Sequence, residues 1–190
     1  MPATKGTLTV IAGPMFSNKS GELLRLATVH RIAGRHVALF KHSLDDRYEG
    51  TAFISTHGGQ SMDAEPVSTS AEIRLMAGGR GLVAIDEAQF FDDALTEVVR
   101  DLVADGVTVV VAGLDRNFKA EPFGPMPALM AHADEVMKLR AVCMKCRSLE
   151  GTMTQRLIDG RPATRNSPVI LIGAAEAYEA RCRNCHEVPD

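Results

Sequence analysis

The stretch "GPMFSNKS", residues 13–20, decides how this chain is read. It matches the Walker A pattern G-x-x-x-x-G-K-[ST] at Gly13, Lys19 and Ser20. It departs from that pattern at Asn18, where the second glycine belongs. The flanks suit a phosphate cradle. "TLTVIAG" (7–13) reads as a buried strand, and a helical pattern starts near Lys19. That order aims backbone N–H groups and a helix N-terminus at an anion. Lys19 would then reach the β- and γ-phosphates and Ser20 would ligate Mg²⁺. Glycine serves before the lysine because it accepts positive φ. Asn is the non-glycine residue that best tolerates that region, so Asn18 is the mildest replacement. The bland alternative is a strand–turn–helix with an incidental lysine.

Working outward, short apolar runs alternate with helical patterns. "HVALFKH" (36–42), "LVAIDE" (82–87), "VTVVVAGL" (107–114) and "VMKLRAV" (136–142) read as further strands. Residues 19–33 place Leu23, Leu24, Leu26, Ala27 and Ile32 near helical spacing, and residues 92–104 do the same with Leu95, Val98, Val99 and Leu102. Near-continuous Val/Ile/Leu strands joined by helices imply an α/β fold with a parallel sheet covered on both faces, of the RecA-like P-loop kind. Residues 42–66 are rich in Ser, Thr, Gly and Asp and read as a long loop or excursion. The composition shifts near Ala141. We therefore expect a nucleotide-binding domain over 1–140 and a small zinc-binding domain over 141–190, the latter with β-like pieces "GTMTQRL" and "SPVILIG".

In "LVAIDEAQFF" four apolar residues precede Asp86, as in a Walker B strand. Such an Asp lies at the C-terminal end of a parallel strand, where open α/β sheets bind ligands, and holds Mg²⁺ opposite Ser20. Glu87 follows, placed to take a proton from an attacking water or hydroxyl. A helix N-cap pair is the alternative for an isolated Asp-Glu. "CMKC" and "CRNC" set Cys143, Cys146, Cys182 and Cys185 in two C-x₂-C pairs, the pattern of a closed structural Zn²⁺ site. Buried free thiols or redox pairs are the other readings, and His186 is an alternative ligand. Phe90, Phe91, Phe118 and Phe123 follow two strand ends, where a planar base would stack or wedge; Phe91 itself reads as core. In "LDDRY", Arg47 would reach a phosphate and Asp45 would assist metal or water; alone, the stretch reads as a solvated loop.

The bulk numbers narrow the class. The chain has 190 residues, 45% of them hydrophobic, with net charge -3. No basic excess points to a nucleic-acid partner. No apolar run reaches the roughly 18 residues of a membrane span. The N-terminal apolar run stops at Gly13 and is not read as a signal peptide, so the cytoplasm is the expected compartment.

Together "GPMFSNKS", "DEAQFF", "AGLDRNFKAEPFGPM", "KLRAVCMKC" and "VILIGAAEAYEARCRNC" make the sequence similar to the type II thymidine kinase family, from Thr7 to Cys185. The resemblance implies ATP-dependent phosphorylation of the thymidine 5′-hydroxyl, with deoxyuridine as second substrate, and a zinc-bound lasso over the base. It implies that Gly13, Pro14, Met15, Phe16, Ser17, Asn18, Lys19 and Ser20 hold the ATP phosphates, with Asp45, Arg47, Asp86 and Gln89 beside them. Ser20 and Asp86 would form the Mg²⁺ site, and Glu87 would be the general base. Phe90, Leu114, Phe118 and Phe123 would wall the thymine pocket, with Thr154 near the thymine methyl and Thr152 as the lesser choice. Val169, Ile170, Leu171, Ile172, Gly173 and Tyr178 would form the nucleoside-binding stretch. The resemblance further implies a homotetramer, feedback inhibition by the end product dTTP, and neither nucleic-acid nor membrane partners. A RecA-like ATPase using Glu87 on water, or a zinc-ribbon nucleic-acid module using the tail arginines, are the competing functions.

Overall fold

The computed structural model describes residues 5–44, 53–55, 61–170 and 177–190. In chain order the elements are β1 (Leu8–Ala12), α1 (Lys19–Ile32), β2 (Val37–His42), β3 (Phe53–Ser55), β4 (Ser61–Asp63), β5 (Glu65–Val67), α2 (Ser70–Met76), β6 (Leu82–Asp86), α3 (Leu95–Ala104), β7 (Thr108–Gly113), α4 (Met126–His132), β8 (Glu135–Lys138), β9 (Met153–Ile158), β10 (Arg161–Pro162) and β11 (Ala177–Arg181). A short 3-10 turn, Ala88–Phe90, follows β6.

Six strands form one sheet in the order β5-β2-β6-β7-β1-β8, every neighbouring pair parallel. Strand alternation sorts the apolar residues onto two faces. Val10, Ala12, Val83, Ile85, Val109 and Val111 pack with Ile73 of α2, Leu95 and Val99 of α3 and Leu129 of α4. Ile11, Leu82, Ala84, Val110 and Ala112 pack with Leu23, Leu24 and Ala27 of α1. Burial on both faces is why these strands read as unbroken apolar runs.

The structure redraws several expected elements. Residues 42–66 are not one loop: β3 and β4 make an antiparallel hairpin, and β5 adds a sixth strand beside β2. α2 ends at the stretch "AGGRG" (77–81), whose composition suits a helix exit and turn before β6, and Thr69 and Glu72 form a capping box at its start. α3 begins at Leu95 rather than residue 92, because Asp92 turns its carboxylate to the Ser70 N–H and hydroxyl. Ile32 packs on nothing: it is 81% exposed at the end of α1. β8 ends at Lys138, where the Leu139 N–H closes on the Ala12 carbonyl and the chain leaves the sheet. Residues 167–170 are not strand; β9 pairs instead with β10 and, antiparallel, with β11. Among the described residues no helix is long and apolar enough to cross a membrane.

Candidate active site

The site lies at the C-terminal edge of the sheet, where β1, β6 and β7 release their chains side by side. Gly13 leaves β1 under the backbone of Leu139: a Cβ there would stand 2.7 Å from the Leu139 carbonyl oxygen. The following loop carries two left-handed residues, Phe16 (φ 64°) and Asn18 (φ 64°, ψ 33°). Asn18 thus takes the conformation for which a glycine normally stands. Left-handed residues within a turn are how successive N–H groups come to face one concavity. The Asn18 amide lies over Gly21, where a Cβ would meet its Oδ1 at 2.2 Å. The side chain that replaced one glycine therefore sits above another.

The loop side chains close on themselves. Ser17 Oγ and Lys19 Nζ both donate to the Pro14 carbonyl, each at 2.8 Å. The Ser20 hydroxyl lies close enough to Asp86 to hold its carboxyl down, so the two candidate Mg²⁺ ligands are neighbours. Burial and the adjacent Glu87 charge push the Asp86 carboxyl up to about 7, against the pull of Ser20, the Glu87 N–H and the Lys19 charge. A hydroxyl and a carboxylate beside a lysine are the hard oxygen donors that Mg²⁺ takes.

Glu87 is itself left-handed (φ 52°, ψ 40°), so the chain turns sharply after β6 and lifts this residue out of the strand line. Its Oε2 accepts from Gln89 Nε2 at 2.5 Å. Gln89, grouped by the resemblance with the nucleotide contacts, is buried and also accepts the Leu114 N–H at 2.9 Å. Beyond it Phe90 meets Phe123 edge-on, centroids 5.8 Å apart. Phe91 belongs to the core and meets the His42 ring at 4.6 Å. Burial holds His42 below the ordinary imidazole range, and its Nδ1 accepts the Leu44 N–H. Leu114 and Phe118 are buried, the Phe118 ring lying 5.3 Å from the Arg156 guanidinium.

The tail is tied directly to this edge. Thr154 Oγ1 accepts the Met15 N–H at 3.1 Å, so its hydroxyl contacts the phosphate loop. Arg116 donates to the Thr152 carbonyl, and His186 Nε2 donates to the Phe118 carbonyl at 2.9 Å. Val169 is half-buried and Ile170 exposed; Tyr178 lies on β11 opposite Arg156. Asp45, Arg47, Leu171, Ile172 and Gly173 lie outside the described residues. Sequence reading missed Arg156 as a site residue: it is fully buried and donates to the Pro168 carbonyl, just before the expected nucleoside stretch. Alternation in "MTQRLI" gives no hint that an arginine turns inward.

The four cysteine sulfurs lie within 4.8 Å of one another, and none is in a disulfide. Cys146 Sγ and Cys182 Sγ are 3.7 Å apart. That is close to the edge of a tetrahedron with Zn–S near 2.3 Å, about 3.8 Å, and far beyond a disulfide's roughly 2.05 Å. Bonding to Cys182, then burial, pushes the Cys185 thiol up to about 12. Burial would raise Cys143 as well, but N–H groups of Cys146, Cys182 and Lys145 bring it down to about 6. A dication resolves that imbalance by stabilising all four thiolates. His186 is turned away to Phe118, so the four cysteines are the candidate ligand set.

A family model described as thymidine kinase matches residues 6–186. The chain belongs to the thymidine kinase family. The match spans both the loop after β1 and the Glu87 edge. A cleft of about 450 Å³ borders the loop at Gly13 and Pro14, but it lies on the β8 side and is not lined by Asp86 or Glu87. Three of its basic residues are paired, Arg116 and Lys138 with Asp115 and Arg140 with Glu150. The cleft is thus separate from the candidate site at the mouth between β1, β6 and β7.

Proposed function

We propose that this thymidine kinase transfers the γ-phosphoryl group of ATP to the 5′-hydroxyl of thymidine, with deoxyuridine as a second substrate. The observation that carries the reading is the left-handed loop at Phe16 and Asn18 facing the turn that lifts Glu87 beside Asp86 at the neighbouring strand end. Such a kinase must align a weak nucleophile with the phosphoryl group and exclude water; little covalent work falls to the protein. The loop N–H groups and the N-terminus of α1 would hold the phosphates. Lys19, released from Pro14, would follow the charge that develops on the transferred group. Mg²⁺, held by Ser20 and Asp86, would supply neutralisation of the phosphate charge. Glu87 would accept the hydroxyl proton, since its backbone aims it past the strand end. Phe90, Leu114, Phe118 and Phe123 would wall the base. The segment 141–190, anchored by Zn²⁺ on four cysteines, would close over the nucleoside. Cytoplasmic residence, a homotetramer and dTTP inhibition come with the family reading.

Glu87→Gln tests the assignment. Turnover should fall by about 10²–10⁴-fold while ATP binding persists. Wild-type turnover in that variant would remove Glu87 as the base. Nucleoside-independent ATP hydrolysis at a comparable rate would favour the ATPase reading instead.

A further inference from the structure

Gln89 is 2% exposed, two residues beyond the candidate base. Its Oε1 accepts the Leu114 N–H at 2.9 Å. A backbone N–H can only donate, so this bond fixes which way the amide points. The NH₂ must then face Glu87, and it donates to Glu87 Oε2 at 2.5 Å. Two glycines clear the space for this arrangement. A Cβ on Gly113 would stand 2.8 Å from Gln89 Oε1, and one on Gly124 would stand 2.3 Å from the Gln89 carbonyl oxygen. Glu87 sits at φ 52°, a region that side-chain-bearing residues leave unless their surroundings over-determine it. The resemblance groups Gln89 with the nucleotide contacts. Here, one amide atom is spent on Leu114 and the other on Glu87.

We propose that Gln89 is a positioning residue: it holds the Glu87 carboxylate toward the nucleoside hydroxyl and takes its own bearing from the Leu114 backbone. Leu114 is also a wall of the proposed base pocket, so the same strand end sets both the base of the reaction and the base of the nucleoside. The assignment rests on the reading of Glu87 as proton acceptor. Gln89 itself touches neither substrate. It acts through orientation, where an error of about 1 Å can cost 10²-fold in rate.

The test is a set of variants read by single-turnover phosphoryl transfer, by KM for thymidine and for ATP, and by melting temperature. Gln89→Met should slow transfer by about 10–100-fold. Both KM values should stay within about 3-fold, as for a group acting only at the transition state. In a Glu87→Gln background the same change should add almost nothing, because its effect runs through the carboxylate. Gln89→Glu fills the same volume and keeps the acceptor for Leu114, but replaces the amide donor with a carboxyl that must repel Glu87 or share a proton with it. It carries the test if Gln89→Met melts early, and it should slow transfer at least as much. A transfer rate within about 2-fold of wild type would overturn the proposal, as would slowing that multiplies with Glu87→Gln. A raised ATP KM at unchanged rate would restore the nucleotide-contact role and overturn it too. If Glu87→Gln alone runs at the wild-type rate, the base reading fails first. If Glu87→Gln is inactive but Gln89→Met is not slowed, only the positioning role fails.

Discussion

The sheet and the tail bury different chemistry. The largest fully buried side chains of the sheet and its helices include Phe40, Ile11, Leu23, Ile85, Leu95 and Leu129. Among the described residues of 141–190 they are Gln155 and Arg156, neighbours on β9. Gln155 takes the Glu187 N–H on Oε1 at 2.9 Å and donates Nε2 to the Glu187 carbonyl at 2.8 Å. Arg156 reaches the Pro168 carbonyl and lies by the Phe118 ring. The core thus relies on area removed from water, which is tolerant of direction. The tail relies on bonds with direction, which lose their value when one partner moves. The four-cysteine cluster closes one end of that network.

Removing metal should break the comparison open. We expect about one Zn per chain by elemental analysis. Cys143→Ser, or exhaustive chelation, should raise the thymidine KM by more than about 10-fold while ATP affinity falls less and helix content persists, because structural zinc supplies folding free energy only to what it anchors. A metal-free protein with unchanged thymidine KM would show that the tail stands without it. A subtler cut is Gln155→Leu. If the tail were one more apolar layer this change would be near neutral. Leaving the Glu187 N–H and carbonyl without partners should instead cost about 2–3 kcal/mol in denaturant unfolding. The smallest effect belongs to the loop. Asn18→Val should lose about 1–2 kcal/mol, since a β-branched residue resists the left-handed region. Asn18→Gly should keep ATP affinity equal or better. A large loss of ATP affinity in Asn18→Gly would give the Asn side chain a contact of its own.

The same contrast explains what the sequence made legible. Strands such as "TVVVAG" announce themselves because both faces are buried, and the Walker loop because phosphate chemistry needs Lys19 and Ser20 in that order. The left-handed turn at Asn18 followed from the missing glycine. The one at Glu87 did not, because no residue type there signals positive φ. β3, β4 and β5 are three residues each and carry polar faces, too short for periodicity to show. α2 is only seven residues long, and its marks are the exit turn "AGGRG" and the capping box at its start. Gln155 and Arg156 look like surface residues until Glu187 and Pro168 arrive from elsewhere in the chain to satisfy them.

The Thr154–Met15 bond has a consequence for how the two substrates sense each other. It joins the lid to the phosphate loop through one hydroxyl and one backbone N–H. Under the proposed function, a nucleoside that drew Thr154 inward would strain or release that bond, and a nucleotide that reshaped the loop would do the same from the other side. Linkage would make such an influence reciprocal: whatever factor ATP applied to thymidine affinity, thymidine would apply to ATP. Thr154 would then be one of the ties, with the Arg116–Thr152 and His186–Phe118 bonds, through which the two binding steps sense each other.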